Sequence, residues 1–143
     1  MRNEKGLTLL EVLASLSIFL IIIGVIYGVL FSVISNYKNL SSKNNLGQEA
    51  NLIITTIKSY HQENPQYKLS IDSSANKAYI GEDSASIPLV PDDLSIDLKA
   101  GPNSYQAFEG ELTIDSEKPL FIYIKLFDKS GQEYELETVI NKY

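Results

Sequence analysis

The sequence contains no cysteine and no tryptophan, and its single histidine is His61. Without cysteine the chain has no disulfide framework, no thiolate metal site and no cysteine nucleophile. One histidine leaves little for acid–base or metal chemistry, and the sequence has no glycine-rich phosphate loop, serine elbow or metal-spaced histidine set. Carboxylates are plentiful, but nothing in their spacing singles out a catalytic pair. We therefore expect no enzyme activity, no cofactor and no metal.

Basic residues are scarce, since twelve Lys and Arg face eighteen Asp and Glu in 143 residues, a net charge of −6. The imbalance lies in residues 44–143, which carry eight Lys and sixteen Asp or Glu, a net charge of −8. A nucleic-acid binder needs a basic face to neutralise phosphates, so we expect no direct contact with nucleic acid. A local basic patch drawn from four lysines stays open as the exception: Lys58, Lys68, Lys77 and Lys99.

Charge is absent altogether from Val12 to Tyr37, a run of 26 residues. A helix that spans a bilayer needs about 20 mostly apolar residues, so this run is long enough to cross. It is too long for the apolar segment of a secretory signal peptide, and no small-residue cleavage site follows it. Glu11 stands at its start, where a carboxylate in hydrocarbon costs several kcal/mol. That position favours a functional role for Glu11 over a simple marker of the membrane interface.

The apolar run is preceded by a short motif, Lys-Gly-Leu-Thr-Leu-Leu-Glu-Val at residues 5–12. Together with the basic leader and the apolar run, this motif closely resembles the cleavage and methylation signature of type IV prepilins. The same signature marks the pseudopilins of type II secretion and of competence (DNA-uptake) machines. Leu7 stands where the family usually has Phe, a substitution that the family accepts. The resemblance covers residues 1–45.

The resemblance implies a specific processing reaction and a specific assembly contact. A membrane peptidase is expected to cut between Gly6 and Leu7 and to leave Leu7 as a new, N-methylated terminus. Arg2 and Lys5 would hold the leader on the cytoplasmic side. The freed amine of Leu7 and the carboxylate of Glu11, one helical turn away, would neutralise each other within a subunit or between neighbours and set the register of assembly.

A helical pattern continues beyond the apolar run, because apolar residues recur at steps of three and four. Asn64-Pro65 predicts its end, since the residue before a proline is pushed out of the helical region. Ser41–Gly47 is a poor helix former and is expected to bend or fray. Gly24 and Gly28 are consistent with a small-residue packing face between helices. Gly28 also falls where members of the family that the motif resembles commonly carry a proline, which implies local melting during assembly, and both interpretations stay open.

Seven short segments with alternating apolar residues follow the helix, separated by turn clusters. They are Tyr67–Ile71, Ala78–Ile80, Ile87–Val90, Leu94–Leu98, Leu112–Ile114, Leu120–Phe127 and Gln132–Ile140. Asp128–Gly131 joins the last two as a hairpin turn. A sheet with one apolar face needs a cover, and the amphipathic second half of the helix is the only candidate. We therefore predict an α+β, pilin-like fold, with one long N-terminal helix whose second half packs on a small antiparallel β-sheet head.

Four segments are expected along the chain. Residues 1–6 form a prepilin leader, residues 7–37 a transmembrane and assembly helix, residues 38–61 the exposed amphipathic half of the same helix, and residues 62–143 the antiparallel β-sheet head.

Acidic residues occur at three places in the head that could supply oxygen ligands to calcium: Glu82-Asp83, Asp92-Asp93 and Asp97. Some pseudopilins bind calcium in a loop of the head. The spacing here matches no calcium loop, so we interpret these residues as solvated turns.

Other conspicuous residues of the head have ordinary structural interpretations. Glu133, Glu135 and Glu137 alternate along a predicted strand, which places them on a solvated outer face where they also discourage edge-to-edge aggregation. His61 is expected to cap the helix or to face water. Five aromatic residues are expected to pack in the core and at its edge rather than to form a binding surface: Tyr105, Phe108, Phe121, Tyr123 and Phe127.

Taken with the resemblance, these patterns predict a structural subunit, and more specifically a minor one, of a type IV pilus-like filament or pseudopilus serving protein secretion, DNA uptake or surface adhesion. The expected partners are a prepilin peptidase, other pilin or pseudopilin subunits, the inner-membrane assembly platform and, through residues 12–37, membrane lipid. The alternative is a non-polymerising single-pass membrane protein whose head binds an extracellular ligand.

The same prediction gives a location. We expect a single pass through the cytoplasmic membrane, with the N-terminus in the cytoplasm and the head outside. After assembly, the subunit would lie at the cell surface or in a filament in the periplasm or cell wall.

Overall fold

The computed structural model describes residues 9–82 and 85–142 of the chain. The predicted processing residues Gly6 and Leu7, the leader charges Arg2 and Lys5, and the acidic residue Asp83 lie outside the described residues. The chain divides into two compact units, Met1–Leu40 and Ser41–Tyr143.

A single helix, α1, runs from Leu9 to Glu63. It ends directly before Asn64-Pro65, as predicted. The expected bend or fraying at Ser41–Gly47 is wrong, because the helix is continuous there. Packing accounts for the difference: Leu46 and Gly47 are buried, and tertiary burial outweighs weak helix propensity.

In the first unit, the described part of α1 buries no side chain. Every residue from Leu9 to Leu40 is exposed except Ile23, which is intermediate. The hydroxyls of Ser15 and Ser17 donate to the backbone carbonyls one turn earlier, at 2.7 and 2.8 Å. These bonds satisfy the two serine hydroxyls within the helix itself.

Seven strands follow α1. They are β1 (Gln66–Asp72), β2 (Lys77–Glu82), β3 (Ala85–Pro88), β4 (Leu94–Gly101), β5 (Gly110–Asp115), β6 (Leu120–Asp128) and β7 (Glu133–Ile140). Each of the seven predicted segments overlaps one of them, although β3 ends before Leu89 and Val90 of the predicted Ile87–Val90. The sequence left the strand order open. The strands form two antiparallel sheets, a four-stranded one in the order β3-β2-β1-β5 and a three-stranded one in the order β4-β6-β7.

The core of the second unit lies between these sheets and the last part of α1. The helix contributes Leu46, Ala50, Ile53 and Ile57, spaced three and four apart on one face. The sheets contribute alternate residues of their strands, which point to one side: Tyr67, Leu69, Ala78, Ile80, Ile96, Leu98, Leu120, Ile122, Ile124 and Leu126. The prediction of a helix covered by a small antiparallel head is confirmed.

The two sheets are joined at the start of β2 and β4. The amide of Ile96 donates to the carbonyl of Asn76 at 3.0 Å. The ammonium of Lys77 donates to the carbonyl of Leu94 at 3.0 Å and also to the carbonyl of Pro91. Asn76 has a φ of +50°, in the left-handed region that asparagine tolerates in turns.

Candidate assembly and interaction sites

The N-terminal candidate site is represented among the described residues by Glu11 alone. Glu11 lies in the first turn of α1, where a negative charge is favoured by the helix dipole. Leu7 lies outside the described residues, so its expected spacing of one helical turn from Glu11 stays a prediction.

From Val12 to Tyr37, the surface of α1 carries no charged side chain and is mostly apolar. Within the described part of the chain, α1 is the one helix long and apolar enough to cross a membrane, and none of its most apolar stretch is buried. A methyl group added at Gly24 or Gly28 would meet no atom within 4 Å. Neither glycine is therefore required by packing against a described part of this chain.

The carboxylate of Asp128 connects the β6–β7 turn to the helix within the second unit. One oxygen, Oδ1, accepts the Ser130 hydroxyl at 2.6 Å and the amides of Ser130 and Gln132 at 2.8 and 2.9 Å. The other, Oδ2, accepts the hydroxyl of Ser42. The hydroxyls of Ser130 and Ser42 are the main causes that lower the pKa of Asp128 to about 2. Asp128, followed by Ser and Gly, signals such a turn in the sequence, whereas nothing in the sequence identifies Ser42 as its partner.

The prediction that His61 caps the helix or faces water is wrong. The side chain is fully buried, and Nδ1 lies 3.1 Å from the hydroxyl of Tyr67. The Nε2 atom has no hydrogen-bond partner among the described residues. Burial is the main cause that lowers the pKa of His61, and the nearby charge of Lys142 adds to it. The opposing influences, the backbone of Lys118 and the charge of Asp115, are weaker.

The described residues of the acidic turns were candidates for a metal site. Within residues 9–82 and 85–142, no group of three or more His, Asp or Glu side chains is arranged to hold a metal ion. Asp92 lies 3.8 Å from the ammonium of Lys77. Asp72 instead accepts backbone amides of its own turn, including that of Ser74 at 3.0 Å, and hydrogen bonds from Ser74 lower its pKa.

Three of the four lysines that could have formed a basic patch have local partners. Lys68 pairs with Glu111 at 3.2 Å. Lys77 is bound to backbone carbonyls, and Lys99 lies 4.9 Å from the centre of the Tyr123 ring. These three lysines therefore make their contacts within the head.

Most of the aromatic residues expected in the core and at its edge lie outside the core cluster. Only Phe108 packs against the core cluster. Phe121, Tyr123 and Phe127 occupy the outward positions of β6 and are half-buried, and Tyr105 is 39% exposed and stacks edge-on against Phe121. The core is instead aliphatic, and Tyr67 is its one fully buried Tyr or Phe side chain among the described residues.

The three glutamates of β7 lie on the outer face, as predicted. Register places Glu133, Glu135 and Glu137 opposite Phe127, Lys125 and Tyr123 of β6. The ammonium of Lys125 contacts Glu133 at 2.9 Å and Glu135 at 2.8 Å. These two hydrogen-bonded carboxylates raise the pKa of Lys125, and Lys125 in turn lowers the pKa of Glu135.

Comparison with known families identifies the N-terminal segment. Residues 1–27 match the family model described as the prokaryotic N-terminal methylation motif. Comparisons with curated proteins and with solved structures gave no match. The motif implies processing by a prepilin peptidase and assembly with other pilin subunits. The chain therefore carries the signature of type IV pilins and pseudopilins on a pilin-like α+β fold, one long helix followed by a small antiparallel head.

Proposed function

We propose that this protein is a structural subunit, and a minor one, of a type IV pilus-like filament or pseudopilus. It is inserted in the cytoplasmic membrane through residues 7–37, cut between Gly6 and Leu7, methylated on Leu7 and then packed helix to helix. The filament serves protein secretion, DNA uptake or surface adhesion. The protein acts as a scaffold and not as an enzyme.

The main support is that the methylation motif coincides with a helix whose described apolar residues are exposed within the first unit. The match covers residues 1–27, and the apolar residues that follow it are exposed in the first unit. Exposed apolar surface on this scale marks a contact with lipid or with other proteins. When a subunit moves from the membrane into a filament, contacts with other subunits replace its contacts with lipid.

In our proposal, Glu11 sets the axial register between neighbouring helices in the filament. Cleavage creates a cationic amine at Leu7, one helical turn before the carboxylate, and both would enter an apolar surrounding. A buried charge that loses its partner typically costs about 3–5 kcal/mol. A neighbour placed one turn too high or too low would leave both charges without partners, so the pairing selects one arrangement of the helices.

Substitution of Glu11 tests this proposal in cells that assemble the filament. Glu11→Gln removes the charge and keeps the shape, and Glu11→Ala removes both. We expect each variant to be cleaved normally but to fall by about a hundredfold or more in sheared filament fractions, which is the effect of losing about 3 kcal/mol. Ser15→Ala, one turn further on, is the matched control and should assemble like the wild type.

The same experiment addresses the alternative of a stand-alone membrane protein. That protein would stay in the membrane fraction whatever residue occupies position 11, and the wild type would be missing from filaments. Recovery of Glu11→Ala in filaments at the wild-type level would refute the role of Glu11.

A further inference from the structure

β7 is an edge strand of the three-stranded sheet. Among the described residues it pairs with β6 alone. An edge strand presents a row of backbone N–H and C=O groups that can pair with another chain. The side of β7 away from β6 therefore has no strand partner among the described residues.

The outer face of β7 makes that edge selective for charge. Glu133, Glu135 and Glu137 occupy alternate positions, so their side chains lie on one face. Lys125 forms ion pairs with Glu133 and Glu135, and the charge of Lys99 also acts on Glu135. The three glutamates and these two lysines together carry a net charge of −1. The side chains of Glu133 and Glu135 remain 56% and 50% exposed although both contact Lys125. They can therefore accept a second cation without displacing the first.

The inner face of β7 is apolar and incompletely covered. Tyr134 and Leu136 pack against the core cluster but are only partly buried, and Thr138 is also intermediate. A further strand beside β7 would place alternate side chains next to these residues. Apolar side chains there would extend the core, while the side chains between them would meet the glutamate row.

We propose that β7 binds an extended segment of another protein by strand addition. The segment carries Lys or Arg at three alternate positions and apolar residues between them. Backbone hydrogen bonds to the β7 edge supply affinity, and the two faces supply specificity. This proposal concerns the head and holds whether or not the chain polymerises.

The same features exclude a second copy of this chain as the occupant. Two β7 strands side by side would bring their glutamate rows together, and like charges opposite each other are destabilising. No described strand of this chain carries more than one basic residue. The partner strand therefore comes from a different protein.

The test uses the full chain in detergent micelles and three blocked peptides of about the length of β7. The first alternates Arg with Val, the second has the same composition with Arg and Val in separate blocks, and the third alternates Glu with Val. Hydrogen exchange of the β7 amides is measured with each. We expect the first peptide to slow exchange in β7 and to bind more weakly as salt increases. The other two should leave β7 unchanged.

A charge reversal at Glu137 identifies the binding face. Glu137→Arg replaces attraction by repulsion at one cross-strand pair. It should lower the affinity for the alternating Arg–Val peptide about fivefold to twentyfold. Glu117→Arg makes the same change of charge in an exposed turn outside the strands and should alter binding less than twofold.

Three results would overturn the proposal. One is equal binding of the alternating and the block peptides, which would indicate attraction by net charge alone. Another is binding without slower exchange in β7. The third is protection of β7 that grows with protein concentration and without peptide, which would assign the edge to a second copy.

Discussion

The two parts of α1 differ in whether their apolar side chains are buried. From Leu9 to Leu40 the helix is rich in aliphatic side chains, and none is buried. From Ser41 to Glu63 it carries fewer of them and buries one face, including Ile53 and Ile57, under the head. One continuous helix is thus suited to two environments. The apolar residues of the second part stabilise the fold of this chain, and those of the first part are free to contact lipid or other subunits.

The apolar part of α1 and the head also differ in charge. Between Val12 and Tyr37 no residue is charged, whereas residues 44–143 carry a net charge of −8. In the head these charges are arranged locally, as in the contacts of Lys125 with Glu133 and Glu135. The difference indicates that the first region is adapted to an apolar surrounding and the second to water.

The largest effect that separates the two regions is expected from matched isoleucine truncations in α1. Ile57 is 0% exposed and Ile22 is 50% exposed. Ile57→Ala leaves a cavity in the core and should lower the free energy of unfolding of the head by about 2–5 kcal/mol. Ile22→Ala should leave it unchanged. Amide exchange in β6 of the full chain in micelles measures both, and equal effects of the two variants would contradict the comparison.

A smaller effect is expected from His61, whose burial gives the head a dependence on pH. The pKa of His61 is lowered from 6.5 by burial, so the unfolded chain binds more protons than the folded one as the pH falls below about 6.5. The contribution of neutral, buried His61 to the free energy of unfolding is fully present above that pH. It is lost as the pH falls towards the lower pKa of the folded state. The slope cannot exceed about 1.4 kcal/mol per pH unit for one proton.

Thermal unfolding between pH 7.5 and 5 measures this dependence. His61→Gln keeps a hydrogen-bonding side chain for Tyr67 and should flatten the profile in that range. A wild-type profile that His61→Gln does not change would show that another group is responsible.

The smallest effect is expected from glycine substitutions in the two parts of α1. Gly28→Ala should stabilise the helix locally by about 1 kcal/mol, because Ala favours a helix over Gly and the added methyl group meets no atom within 4 Å. Gly47→Ala should stabilise the helix less, since its methyl group would lie 3.3 Å from the ring of Tyr134. Amide exchange around each position measures the difference, and an equal gain at both would contradict it.

Local sequence patterns were sufficient for most of the fold. The alternation in Leu120–Phe127, the turn at Asp128–Gly131 and the stop at Asn64-Pro65 each depend on neighbouring residues, and each is found in the structure. The division of seven strands between two sheets depends on pairing between distant segments. Alternation within one strand does not specify its partner.

The predictions that were wrong also failed because they depend on contacts between residues far apart in the sequence. Nothing adjacent to His61 indicates that Tyr67 and the region around Lys118 enclose it. The continuity of the helix through Ser41–Gly47 likewise depends on Tyr134 and Asp128, which are far away in the sequence. The outward position of Phe121, Tyr123 and Phe127 was not predicted because large aliphatic or aromatic side chains occur on both faces of β6, and Lys125 is the one charged residue between Leu120 and Phe127. The processing residues were assigned from the motif and remain predictions.

The intact mass of the protein recovered from cells that contain a prepilin peptidase tests the central claim most directly. The account predicts a chain that has lost Met1–Gly6 and gained one methyl group, with both changes blocked by Gly6→Val. A mature protein that retains its first six residues and lacks the methyl group would contradict it.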